Sequence, residues 1–196
     1  NVSFIICTAP LLTSILSLLF YKSEKASKGL IYGSLLALMG VGLIVFNGSF
    51  VLKISPIGDL LTLLAALSWA FYSLIIKKMA GRYPTIFITR KIFFYGVLTI
   101  LPAFLLHPLH PDTVVLLQPA VLFNLLFLAV LASLICYVLW NVVLKQLGTV
   151  RASNYIYLNP LVTMIASFLI LDEKITLVAL GGAACIVCGV YWAEKK

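Results

Sequence analysis

The chain has 196 residues, of which 63% are hydrophobic and 10% charged, with a net charge of +8. A soluble domain averages about 45–50% apolar and about 25% charged; 14 basic and 6 acidic side chains do not cover a water-facing surface of this length. An ordinary soluble domain, a disordered chain and a nucleic-acid binder are thereby excluded, and the basic surplus has to be read by position.

A bilayer core needs about 20 apolar residues of helix. Charge-free stretches run 1–21, 29–52, 60–76, 92–111, 113–144, 152–171 and 175–193. A charge at a helix centre costs about 2.5–3.5 kcal/mol on insertion, so each stretch reads as one span. The predicted fold class is all-α: a polytopic membrane protein with seven transmembrane helices near 3–21, 29–46, 58–76, 87–106, 121–144, 152–171 and 175–193. Turn pairs (Asn47-Gly48, Ser55-Pro56, Tyr83-Pro84, His107-Pro108) lie between them. The apolar runs are too long for the alternating strands of a membrane barrel.

With the N-terminus outside, 12 of the 14 basic residues fall on the cytoplasmic side and only Lys53 and Lys174 outside. This positive-inside bias predicts a cytoplasmic C-terminus. Most of the net charge is therefore a topology signal. Short loops point to a bacterial inner membrane, a multi-pass plasma membrane location. The Asn47-Gly48-Ser49 sequon is read as accidental.

The first span carries Pro10, which removes a backbone donor and kinks its helix. The second carries Gly33, Gly40 and Gly42; small residues let membrane helices approach closely. On the third, Trp69, Tyr72 and Ser73 share a face at i, i+3 and i+4. On the fourth, Tyr95 and Thr99 share a face, and Pro102 is a further kink site. Lys77, Lys78, Arg82, Arg90 and Lys91 form a basic cluster between the third and fourth spans, where a solvated basic rim and an attractor of anionic substrates at the cytoplasmic mouth are the two readings. On the fifth, Ser133, Tyr137, Trp140 and Asn141 recur at helical spacing, with Trp140 also suited to an interfacial belt. The sixth has Asn154, Tyr157, Asn159 and Pro160 within two turns. The seventh has Gly181, Gly182 and Gly189, and Cys185 and Cys188, read as small packing residues.

Polar groups inside spans are costly and should face a cavity or a neighbouring helix. Trp69, Tyr72, Ser73, Tyr95, Tyr137, Trp140, Asn141, Asn154, Tyr157 and Asn159 are therefore expected to line a substrate cavity of aromatics and amides. Pro10 and Pro160 are hinge candidates. Gly33, Gly40, Gly182 and Gly189 are helix-packing candidates, and the sequence leaves open whether they pack internally or form a homodimer contact.

Part of the chain repeats. Pro10, Leu11, Thr13, Ile15, Ser17 and Leu19 match Pro160, Leu161, Thr163, Ile165, Ser167 and Leu169 at an offset of 150. Glu24, Lys25, Gly33, Gly40 and Val41 match Glu173, Lys174, Gly182, Gly189 and Val190 at an offset of 149. The two units start five spans apart, an odd number, so they cross in opposite directions. Inverted repeats of this kind mark secondary transporters. The expected organisation is 1–50 as the last two helices of a first repeat and 57–196 as a complete five-helix second repeat. At about 28 residues per span, three upstream helices would add about 80–90 residues.

The runs "GDLLTLLAALSWAFYSLIIKK" (58–78) and "ASLICYVLWNVVLKQLGTVRASNYIYLNPLVTMIASFLILDE" (132–173), with the Pro10 to Glu24 segment, carry a family resemblance. The sequence resembles the ten-helix drug/metabolite transporter superfamily, EamA type, over helices four to ten. That resemblance implies a permease or exporter moving a small organic metabolite or drug-like molecule by alternating access, with the lipid bilayer and a small-molecule substrate as partners. No cofactor or metal is expected, and no enzyme, since no acid/base constellation lies within the spans. No Asp, Glu, Lys, Arg or His lies at mid-membrane in these seven spans, which leaves proton coupling open against facilitation or exchange. The competing reading is a seven-helix receptor, a light-driven pump or another non-transport integral membrane protein. It lacks a lysine in the last span for a retinal and does not account for the repeat.

Overall fold

The computed structural model describes residues 2–20, 28–46, 55–106 and 113–195. Lys22, Glu24, Lys25, Lys53, His107, His110, Asp112, Lys196 and the Asn47-Gly48 turn lie outside them. Every described element is a helix. Among the described residues, seven helical stretches are long and apolar enough to cross a membrane: Val2–Phe20, Gly29–Phe46, Pro56–Ala80, Thr85–Leu106, Pro119–Leu147, Thr149–Leu171 and Leu177–Glu194. Helices are forced here because hydrocarbon offers backbone N–H and C=O groups no partners except one another. The chain is an all-α polytopic membrane protein.

The elements are α1 (Val2–Ile6), α2 (Ala9–Phe20), α3 (Lys28–Phe46), α4 (Pro56–Ala80), α5 (Thr85–Leu106), α6 (Thr113–Leu116), α7 (Pro119–Leu126), a π-helix (Phe127–Ile135), α8 (Cys136–Leu147), α9 (Thr149–Asn154), a 3-10 segment (Tyr155–Leu158), α10 (Asn159–Leu171) and α11 (Leu177–Glu194). They divide into two compact units. The first holds residues 1–75 and 147–196, the second 76–146.

The span ends follow local chemistry. Pro56 opens α4, where its missing N–H costs nothing, and the Asp59 carboxylate accepts the Ser55 N–H at 3.2 Å. Gly148 is the single residue between α8 and α9 and has φ 82°, a value that glycine adopts without strain. Asp172 ends α10 in the left-handed region at φ 52°, a conformation short acidic side chains tolerate. Thr176 caps α11 by accepting the Ala179 N–H at 3.1 Å. Thr176→Ala should cost about 1 kcal/mol, read as a lower melting temperature in detergent; an unchanged melting curve would show the cap to be idle.

Pro10 and Pro160 interrupt their spans alike. Each stands at the start of an α-helix (α2, α10) and follows a non-α stretch: the turn at Cys7-Thr8 and the 3-10 segment. Proline cannot donate to the carbonyl four residues back, and its ring crowds that carbonyl. Pro102, by contrast, lies inside an unbroken α5.

In the first unit, α3 and α11 run antiparallel with their backbones in contact. A Cβ on Gly33 would lie 2.5 Å from Gly189 O and from Ala193 N, and one on Gly40 2.5 Å from Gly182 O. Only hydrogen fits at these four positions, and the contact is internal to the chain. Among the described residues, a Cβ on Gly181 would have no neighbour within 4 Å, and one on Gly42 would meet only Phe4. Cys185 lies against Gly40, whereas Cys188 is exposed, which corrects the expectation that both cysteines pack.

Beside this contact is a core of six buried residues: Cys7, Ala37, Val41, Tyr157, Ile186 and Val190. They form three pairs, Cys7 with Tyr157 at the offset of 150, and Ala37 with Ile186 and Val41 with Val190 at the offset of 149. The glycine contacts obey the same rule. Adding 149 to Gly33 and subtracting it from Gly189 turns the Gly33–Gly189 contact into the Gly182–Gly40 contact.

In the second unit, the π-helix replaces the α-helix expected through the middle of the fifth span. No proline or glycine explains it. Bonding from i to i+5 breaks the 3.6-residue register, so Ser133 no longer follows from the spacing of Tyr137, Trp140 and Asn141.

Candidate functional site

Six candidate residues belong to the first unit. Trp69 and Tyr72 sit side by side on α4, ring centroids 5.3 Å apart. The buried Ser73 hydroxyl donates back to Trp69 O at 3.0 Å. Asn154 and Tyr157 are fully buried, and Ser34 of α3 donates to Asn154 Oδ1 at 3.4 Å.

Asn159 is different: it faces a cavity of about 440 Å³. One wall is a polar stripe on α10, Asn159, Thr163 and Ser167, one turn apart. Pro160 and Met164 complete that wall. The lining also includes Ser3, Ile6 and Cys7 of the first span, Ile44 and Val45 of α3, Glu173, Lys174 and Ile175 of the α10–α11 turn, and Ala179 of α11. Thr163 donates its hydroxyl proton to Asn159 O at 3.0 Å, leaving its lone pairs to the cavity. The Asn159 amide offers two donors and an acceptor. Such a lining holds a small molecule by neutral hydrogen bonds and apolar contact, with one carboxylate and one ammonium at the end bearing the α10–α11 turn.

The other four candidates belong to the second unit. Asn141 is buried and donates from Nδ2 to Thr89 Oγ1 at 2.9 Å; Thr89 in turn donates to Thr85 O at 3.0 Å. Tyr137 meets Phe93 edge-on at 5.5 Å. Trp140 is half-buried. Tyr95 is 56% exposed and stands beside Phe94 and Lys91, so it shares no enclosed face with the Asn141–Thr89 pair.

Sequence reasoning missed Ser3, Cys7, Thr163, Met164 and Ser167 in the cavity, and Thr89 as the partner of Asn141. The α10 stripe was readable, since 159, 163 and 167 repeat every four residues. A second stripe was also overlooked. Thr13, Ser17, Thr149 and Ser153 are all fully buried in the first unit, on α2 and α9. Small side chains let these two helices approach, as α3 and α11 do. Thr149 Oγ1, Ser153 Oγ and Asn154 Nδ2 find no hydrogen-bond partner among the described residues.

Seven apolar spans among the described residues, a glycine-mediated helix contact and a cavity framed by a proline-broken helix define a multi-pass α-helical membrane protein. The chain belongs to the EamA-like transporter family, whose profile matches residues 56–193. It is similar over its whole length, at 29% identity, to an uncharacterized transporter of Archaeoglobus fulgidus, covering 67% of that protein. A probable amino-acid metabolite efflux pump of Salmonella typhimurium is 29% identical over 88% of this chain and 60% of its own length. The uncharacterized transporter YcxC of Bacillus subtilis is 32% identical over 83% of this chain and 55% of its own. The chain thus spans roughly three fifths of the length of these relatives.

Proposed function

We propose that this protein is part of a secondary transporter that moves a small organic molecule across the bacterial inner membrane by alternating access, with its C-terminus in the cytoplasm. The observation that carries this reading is the pairing of the six-residue core. Three buried pairs related by the repeat offsets support two repeats of opposite direction, one ending near residue 50 and one running from 57 to 196. Repeats related in this way are the structural basis of alternating access. Pro10 and Pro160 are the proposed hinges, because each follows a non-α stretch at an equivalent position.

The α10 cavity is the proposed substrate vestibule. Its neutral stripe and its Glu173-Lys174 end suit a small molecule carrying both charges and an apolar side chain. The Salmonella relative's name, an amino-acid metabolite efflux pump, points to the same class.

The test is transport of radiolabelled neutral amino acids in cells expressing the protein. Asn159→Ala should lower the rate by about tenfold, since it removes the one free amide on the wall. Tyr72→Ala and Tyr137→Ala test the aromatic faces of the two units separately and should also lower it. Wild-type rates in all three variants at equal membrane abundance would remove the assigned site.

A further inference from the structure

The cations at the start of α5 are placed against the helix dipole. Helix N-termini favour anions, and helix C-termini favour cations. In α4 the rule is obeyed, with Asp59 in the first turn and Lys77 and Lys78 in the last. In α8, Lys145 is in the last turn. In α5, Arg90 and Lys91 stand in the second turn and the first turn has no acid. The sequence holds no Asp or Glu between Asp59 and Asp112 to offset them.

These cations rest on rings. The Arg82 guanidinium lies 5.9 Å from the Tyr83 ring, which stacks on Phe87 at 5.6 Å. Arg90 lies 5.4 Å from the Phe87 ring. Lys91 lies 5.9 Å from each of Phe87, Phe94 and Tyr95. Beyond Lys91 the helix carries no charge, and every residue from 94 to 106 is exposed.

We propose that this face of α5 binds an anionic phospholipid. Arg90 and Lys91 take the phosphate, and the acyl chains lie along the exposed apolar face that begins at Phe94. Charge complementarity selects the anion. The rings and the uncharged run behind them select an amphipathic ligand over a soluble phosphate. Arg90 and Lys91 have no acid in the first turn of α5 to offset them, and a bound phosphate supplies that charge.

The full chain, purified in an uncharged detergent, is titrated with phosphatidylglycerol, phosphatidylcholine and water-soluble glycerophosphoglycerol, and bound lipid is read by native mass spectrometry. Phosphatidylglycerol should be retained about tenfold better than phosphatidylcholine, and Arg90→Gln with Lys91→Gln should abolish that preference. Lys77→Gln with Lys78→Gln changes the net charge equally and should leave retention within about twofold, because those cations suit their helix end. If the first double variant does not elute as folded protein, Lys91→Gln alone should weaken retention about threefold. Equal retention of the two lipids, equal loss in both double variants, competition by glycerophosphoglycerol, or an unaltered Lys91→Gln would each overturn the proposal.

Discussion

Gly33→Ala is expected to deprive the protein of its fold in detergent, while Gly181→Ala leaves it intact. At Gly33 the added methyl group would lie 2.5 Å from Gly189 O and 2.8 Å from Ala193 Cα. These are backbone atoms, which no rotamer change can move aside. Overpacking costs about 1–3 kcal/mol where side chains can shift; here α3 and α11 must separate, so the cost should reach or exceed the top of that range. Total stability of a domain is about 5–15 kcal/mol, so the loss is a large share of the whole. Gly189→Ala should behave in the same way, with Ala37 N at 2.5 Å and Gly33 O at 2.6 Å. Among the described residues nothing lies within 4 Å of a Cβ on Gly181, and a helical Gly→Ala change there is neutral or favourable by about 0.5–1 kcal/mol. Elution profile and melting temperature of the four proteins, wild type included, decide the matter. A Gly33→Ala protein that elutes and melts as wild type would mean that the two helices are not in backbone contact.

Asn141→Ala should destabilise the protein by about 2 kcal/mol, the sum of a lost intramembrane hydrogen bond and a small cavity. Asn141 and Thr89 are 1% and 2% exposed, so water does not replace the bond. Thr89 both accepts from Asn141 and donates to Thr85 O; it links α8 to the backbone of α5. A cycle with Thr89→Val should return a coupling of about 0.6 kcal/mol and at most about 1.7, the range for such bonds in membranes. Additive effects, within about 0.3 kcal/mol, would mean that the pair is close but not bonded. The residue was singled out as a substrate contact, and its transport phenotype has to be read against this structural role.

The spans were legible because hydrocarbon imposes a one-dimensional rule. A charge within it is costly and an unbonded backbone group is costly, so charge-free length alone marks a helix. The structure moved the ends by a few residues, most at the third span. There α4 continues to Ala80 and takes in Lys77 and Lys78, whose charges suit the helix C-terminus. The register within spans was less legible. The π-helix at 127–135 shows no breaker residue, and a face assigned at 3.6 residues per turn does not survive it.

The candidate site was readable in residue type and only partly in partnership. Amides and hydroxyls in a span must have partners, but the sequence does not say which. Asn141 has Thr89, and Asn154 has Ser34. Asn159 lines a cavity, and Tyr95 lies on an exposed face. The glycines illustrate the same limit: periodic small residues announce a close helix contact, yet only the tertiary structure brings Gly33 to Gly189 and Gly40 to Gly182 within one chain.

By itself, then, the sequence determined the number of spans, the all-α class and the repeat offsets, because these follow from where charge is forbidden and from residue identity at fixed intervals. The tertiary structure decided which small and polar residues touch. That depends on helix rotation and approach distance, which hydrophobicity leaves undetermined when every face of a helix is apolar. Packing of backbone against backbone at four glycines, and a cavity opened where Pro160 breaks its helix, are set by contacts between segments about 150 residues apart.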